Sequence, residues 1–423
     1  MTPVAEKTQR GRHFGRIGRT RLFVFLAALG PGMIAALADN DAGGITTWSV
    51  VGSRYGFSML WLLVLVTPVL AILQEMNARI GAATGRGMAA LIRENFSLKI
   101  TAFAILATTL ANFGTSVSEF SGVSAASKLL GVPPYVGVPV VAIAVWLLVV
   151  RGSYRRVERV FLALGVVYVT YIISALLAEP DWGAAAHGAV VPHVQSDSLW
   201  LFTAIAAIGT TITPWGQFFI QASVVDKHIS MRNFRYTRIE VYLGALVTVG
   251  IDFFIVLACA TVLYPKGIAV DSAEHAAQAL EPLVGEAARV LFGIGLLNVS
   301  ILASGILPLA TAYVVCEAFG FESGLDRSFS DAPIFNGIIT VFIVVPALVA
   351  MIPGLPLVGV IMVAQTLNGM LLPIVLIFAL KMVNDASVMG DYTNTRPRNI
   401  VSWAFTIALI GLSAALLMSP FVS

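Results

Sequence analysis

Apolar residues run in long blocks through this chain, and short polar stretches cut them apart. Blocks of roughly 20 apolar residues are membrane-helix length. Eleven can be drawn, at 22–54, 57–80, 100–130, 132–150, 160–178, 199–225, 239–264, 287–319, 334–352, 355–382 and 400–422. Two of them are interrupted where a helix should run straight through. The first break is Asp39-Asn40-Asp41-Ala42-Gly43-Gly44 and the second Gly209-Thr210-Thr211-Ile212-Thr213-Pro214. Backbone that leaves the helix inside a bilayer exposes unpaired carbonyls and amides, which is tolerated only around a protein-lined or watery cavity. A carboxylate at that depth costs a further 2.5–3.5 kcal/mol or so on insertion scales. Paired broken helices point to a midplane binding site of a transporter.

The broken blocks are the first and the sixth. A repeat of five helices is odd, so its copy must be inverted. The expected fold is an all-α integral membrane protein of about 11 helices, with a leucine-transporter-type inverted 5+5 repeat and discontinuous helices one and six. Residues 22–178 would form the first repeat, 199–382 the second, 400–422 a peripheral helix, and 1–21 a basic leader. The stretches 179–198, 265–286 and 320–333 read as loops.

Composition agrees with a membrane protein: 58% hydrophobic and 12% charged. The leader Lys7, Arg10, Arg12, Arg16, Arg19 and Arg21 lacks a small-residue cleavage site and reads as an anchor rather than a signal peptide. With the N-terminus in the cytoplasm, 22 of the 26 Lys and Arg fall on the cytoplasmic side, as the positive-inside rule requires. The expected location is the inner membrane, multi-pass. The net charge of +3 follows from this bias and implies no nucleic-acid partner. Cys259 and Cys316 fall inside helices and read as buried apolar residues, with no disulfide framework. No Walker motif is present, so ATP is not the direct driving force. No cofactor is expected; the partners are a cation cargo and the lipid bilayer, around a monomer.

Half-helix ends offer carbonyls, Asp41 a full charge and Thr213 a hydroxyl, the ligands of hard cations such as Mg²⁺, Ca²⁺ or Mn²⁺. Asp39 and Asn40 could instead cap a half-helix. An organic-solute carrier would present amides to a carboxylate, which Asp41 would repel. A Mg²⁺-dependent polyprenyl-transferring enzyme needs a second Asp-rich motif, and residues 199–225 hold no acid.

Taken in order, Gly30-Pro31-Gly32, the two breaks, Ala78-Arg79-Ile80-Gly81 with Thr84-Gly85, residues 291–297, Gln365 with Pro373, and Met389-Gly390-Asp391-Tyr392 resemble the NRAMP family of divalent-metal transporters. The resemblance covers most of the chain. By position it implies a metal site of Asp41, the Gly44 main chain, the Thr210 carbonyl, Thr213 and Gln365. The departures are specific. The family's Asn ligand falls at Gly44, its Met at Thr213, and its two helix-six His at Trp215 and Ile220. These changes, with Ala38–Gly43, resemble the NRAMP-related branch associated with magnesium. A thioether rewards transition metals, whereas a site without it suits partly hydrated Mg²⁺, with Mn²⁺ also accepted. The alternative within the fold is a proton-coupled Mn²⁺/Fe²⁺ carrier. Two helix-three acids of the family fall at Thr109 and Ser116, and residues 334–352 carry no charge, so uptake without proton coupling is expected.

Glu119 and Asp252 are ionisable groups at membrane depth and further pathway candidates, as are Asp39, Asn40, Trp215 and Gln217. Gln217, Asn298 and Asn368 read more simply as interhelical glue. Trp48, Trp146, Trp200 and Trp403 read as interface-belt aromatics. His13, His187, His193 and His275 read as solvated.

Overall fold

A computed structural model describes residues 40–151, 169–232, 234–280, 285, 288–324 and 327–422. Their regular structure is helical: α1 (Ala42–Tyr55), α2 (Leu60–Thr84), α3 (Met88–Asn95), α4 (Leu98–Leu129), α5 (Pro134–Arg151), α6 (Val169–Leu177), α7 (Trp182–Val190), α8 (Ser198–Thr211), α9 (Pro214–Asp226), α10 (Phe234–Val262), α11 (Ala273–Ala277), α12 (Ala288–Phe319), α13 (Pro333–Ala350), α14 (Leu357–Asn384), α15 (Ala386–Met389) and α16 (Arg396–Val422). Eight of the described helical segments are long and apolar enough to cross a membrane, α8 and α9 together forming one of them. The leader, the first half of block one with Asp39, and residues 160–168 of block five lie outside the described residues.

The breaks have local causes. In the second, Thr213 precedes Pro214, and a residue before proline is driven out of the helical region. Thr213 is extended (φ −84°, ψ 143°), and its hydroxyl oxygen accepts from the Gly216 N–H at 3.2 Å, with proline opening the new helix. In the first, Asp41 is extended and its Oδ1 accepts from the Gly44 N–H at 2.7 Å. The cap of α1 is therefore Asp41 rather than Asn40. Such a cap contributes about 1 kcal/mol.

Glycines set the distances between helices around the breaks. A methyl group at Gly209 would stand 2.3 Å from both the Gln365 carbonyl oxygen and the Gly369 nitrogen. One at Gly369 would stand 2.4 Å from the Ile205 carbonyl oxygen. The α8 and α14 backbones can touch only because both positions lack side chains. At Gly122 a methyl would strike Ala42 Cβ and Ser300 Oγ, both at 2.5 Å. That contact lets α4 pack against the start of α1 and against α12.

Two expectations need correcting. The stretches 179–198 and 265–286 hold short helices, α7 and α11, as well as loop. Asp181 and Ser272 cap these helices through their side chains, so polar residues that read as loop are helix starts. Trp48 and Trp200 are not interface aromatics: they are 1% and 2% exposed. Both belong to the main apolar core, where a large ring fills space between helices. Trp146 donates from Nε1 to Thr340 Oγ1 at 2.8 Å and so joins α5 to α13. Cys259 and Cys316 are buried and unbridged, as expected.

Candidate functional site

The site is built where the start of α1, the end of α8 and the middle of α14 converge. Asp41 is 1% exposed and Gln365 is fully buried. A methyl group at Gly43 would lie 1.8 Å from Gln365 Nε2 and 2.9 Å from Asp41 Oδ1, so both side chains close over that glycine. Gly209 presses against the Gln365 backbone, which carries the next residue, Thr210, to the same place. The last carbonyls of a helix have no partner within it, and Thr210 sits in the last turn of α8. Thr213 follows across the break as the cap of α9. The structure thus brings Asp41 and Gln365 together, with Thr210 and Thr213 in the α8–α9 break that adjoins them.

Gly44 requires a correction. It lies inside the first turn of α1, and its N–H is given to Asp41. Its carbonyl is committed to the helix that continues to Tyr55, so Gly44 contributes space and a donor rather than a ligand oxygen.

Glu119 is drawn further in than the sequence suggested. It is fully buried on α4, its Oε2 accepts from the Ala42 N–H at 3.2 Å, and its carboxyl lies against that of Asp41. Two carboxylates thus meet at one helix start, where N–H groups favour negative charge. Mutual repulsion is strongest in a low-dielectric site, and a divalent cation between them removes it. Apart from this carboxyl–carboxyl contact, Asp41 Oδ2 and Glu119 Oε1 accept from no donor among the described residues.

The other candidates are placed elsewhere. Asn40 is buried beside Asp41. Trp215, in the first turn of α9, belongs to the apolar core shared with α4, α5, α12 and α13 and stacks obliquely on Phe219. Gln217 accepts from Asn77 Nδ2 at 2.7 Å and acts as glue between α9 and α2. Asp252 is buried in α10, the helix against which α1 packs through Gly52. Among the described residues no group of three His, Cys, Asp or Glu could hold a metal. A cation here would rely on amide, carbonyl and hydroxyl oxygens around the acids.

A cavity of about 360 Å³ opens one to three turns beyond the site on the same three helices, lined by Val50 and Arg54 of α1, Phe202 and Thr203 of α8, and Met362 of α14. The sequence reading missed a second polar centre. Glu75, fully buried on α2, meets Arg238 Nε at 3.0 Å, Arg398 Nη1 at 3.1 Å and Arg79 Nε at 3.4 Å. The signal was available: Gln74, Glu75 and Asn77 stand close together inside an apolar block.

Residues 32–419 match the family model described as natural resistance-associated macrophage protein-like, Nramp. The chain is 27% identical to the divalent metal cation transporter MntH of Burkholderia ambifaria, over 99% of this chain and 94% of that protein. Its structure resembles that of a manganese transporter of Eremococcus coleocola, with a TM-score of 0.77 at 21% identity, covering 96% of this chain and 88% of the other. It also resembles Mhp1, a nucleobase-cation-symport-1 family transporter, with a TM-score of 0.59 at 15% identity, covering 92% and 91%. These likenesses establish the fold, an all-helical membrane protein of leucine-transporter type.

Proposed function

The chain belongs to the Nramp family of divalent metal cation transporters, and on that premise we propose that it moves Mn²⁺ across a membrane by alternating access, with Mg²⁺ as a second cargo. It is a transporter of that family, not an enzyme. The observation that carries the reading is the meeting of Asp41, the Thr210 turn and Gln365 at two helix breaks, with Glu119 behind them. The ligands are Asp41, the Thr210 carbonyl, Thr213 and Gln365. A divalent metal is supported by the relatives' descriptions and Mn²⁺ by that of the structurally similar transporter. Mg²⁺ is supported by a hydroxyl at Thr213 where the family carries a thioether, and by the room left at Gly44 for retained water. The excess of Lys and Arg on one side supports an N-terminus in the cytoplasm of a bacterial inner membrane. The cavity beside Arg54 is then the outer vestibule.

Transport proceeds without a proton relay in this reading. Ser116, where the family has an acid, is a buried hydroxyl, and α13 carries no charged side chain. Membrane potential suffices as a driving force, at about 2.3 kcal/mol per charge per 100 mV. The contact of Glu119 with Asp41 favours the second reading, a proton-coupled Mn²⁺/Fe²⁺ carrier, because such a pair can exchange a proton for a metal. Uptake of Mn²⁺ and Mg²⁺ into proteoliposomes with an internal pH dye separates the two. Saturable Mn²⁺ uptake without acidification at clamped potential is expected. Acidification that follows the metal establishes the second reading, and absence of any metal uptake removes both.

A further inference from the structure

Gln365 does not present the site with the atom a cation needs. Its Oε1 accepts from Asn368 Nδ2 at 2.9 Å, one turn further along α14. The same Nδ2 donates to Thr115 Oγ1 of α4 at 2.7 Å, and the Thr115 hydroxyl donates to the Ala111 carbonyl at 3.1 Å. All three side chains are fully buried. With Oε1 held in this way, the amide nitrogen of Gln365 faces Gly43 and Asp41. Among the described residues neither Gln365 Nε2 nor Asn368 Oδ1 has a hydrogen-bond partner.

A hard cation binds a carbonyl oxygen and is repelled by an N–H donor. For Gln365 to ligate, its amide must turn by half a revolution, so that Oε1 faces Asp41 and Nε2 faces Asn368. Nε2 then needs an acceptor, and a buried donor without one is costly. Asn368 supplies the acceptor if it turns as well, bringing its Oδ1 to Gln365. The Thr115 hydroxyl follows by rotating from the Ala111 carbonyl to the same Oδ1. Both bonds between the three side chains are thereby remade with donor and acceptor exchanged, and only the Thr115 bond to the Ala111 carbonyl is given up. Asparagine can satisfy both arrangements because it carries one group of each kind; leucine can satisfy neither.

We propose that Asn368 is a positioning residue that decides which face Gln365 offers the site: the amide N–H toward the Asp41 carboxylate, or the carbonyl oxygen toward a bound cation. Thr115 anchors this exchange from α4, so the ligand geometry on α14 depends on a neighbouring helix. The inference rests on Gln365 being a ligand.

The test is a double-mutant cycle, read as Mn²⁺ dissociation constants of the purified full-length protein by isothermal titration calorimetry. A contact that acts only through Gln365 must vanish when Gln365 is gone, whereas a general structural role persists. Asn368→Leu is expected to weaken Mn²⁺ binding about tenfold in the parent, the size of one lost buried hydrogen bond. It is expected to change binding less than about twofold in a Gln365→Ala background. Thr115→Val, read in the same two backgrounds, should show the same pattern more weakly, and Thr115→Ser should behave as the parent. It keeps the test open should Asn368→Leu not fold. Equal losses in both backgrounds, or no loss in the parent, overturn the inference while leaving Gln365 as a ligand. Unchanged binding in Gln365→Ala alone overturns the ligand assignment, and this inference with it.

Discussion

Asp41 divides its work between two oxygens. Oδ1 caps α1 by accepting from Gly44, while Oδ2 accepts from no backbone donor and has the Glu119 carboxyl as its neighbour. Asparagine caps helices about as well as aspartate, so Asp41→Asn separates the cap from the charge. That variant should unfold within about 0.5 kcal/mol of the parent yet lose saturable Mn²⁺ uptake, since neutral ligands alone do not offset a dehydrated divalent ion. Thermal melts and proteoliposome uptake of the same preparation check both halves. Parental uptake would remove Asp41 from the site. Thr213 invites a comparable separation. Thr213→Met adds the soft sulfur and removes a cap, so Thr213→Val serves as the control for the lost cap. Relative to that control, Thr213→Met should move the Mn²⁺-over-Mg²⁺ uptake ratio toward Mn²⁺ by about tenfold, one ligand's preference in free-energy terms. An unchanged ratio would show that position 213 does not touch the ion.

At the scale of helices, α8 and α14 are held together by the Gly209–Gly369 approach, and Gly209 also sets the height of Gln365. Gly209→Ala should force the two backbones apart. Overpacking of this kind costs about 1–3 kcal/mol, and because the displaced element carries Gln365, Mn²⁺ affinity should fall along with stability. Melting and binding measured together check this, and an unaffected affinity would show the site to be independent of that crossing. The contrast between such features shows how far the residues could be read. The second break was legible because Thr213-Pro214 states its own reason for leaving the helix. Asp41 and Gln365 were legible through spacing within the family pattern. The Gly209–Gly369 contact was not, because a glycine in an apolar block says nothing of which backbone it meets. Glu119 was legible as a buried acid but not as a neighbour of Asp41, since that contact depends on Gly122 admitting α4 to the start of α1. Trp48 misled because tryptophan near a block's end has the same composition whether it meets lipid headgroups or core.

Across the whole molecule, Glu75 joins parts far apart in the chain. Arg79 lies on α2 with it, Arg238 comes from α10 and Arg398 from α16. Arg398 also donates to the Tyr242 hydroxyl at 3.1 Å, and Arg79 donates to the Tyr392 carbonyl. That bond gives the Met389–Tyr392 landmark a structural purpose, for Gly390 turns there at φ 56° and presents the next segment to α2. In sequence Arg238 and Arg398 read only as topology signals and Arg79 only as part of a family landmark, because neither charge counting nor the motif names a partner. One carboxylate shared by three guanidiniums leaves positive charge in excess, so the cluster tolerates loss of an arginine better than loss of the acid. Glu75→Gln should therefore destabilise by about 3 kcal/mol, the low end of the range for breaking a buried ion pair from one side, because Arg238 and Arg398 are partly exposed and only Arg79 is left buried. Arg398→Gln should cost less, because its partner keeps two cations and its own side chain is a quarter exposed. Combining the two should recover part of the loss from Glu75→Gln, since one unpaired guanidinium has been removed from the cluster. Unfolding curves of the three variants in one detergent give the comparison. Additive losses would mean that the arginines meet Glu75 without depending on it, and the joining of α2, α10 and α16 would then have to rest on apolar packing and on bonds such as that of Arg398 to Tyr242.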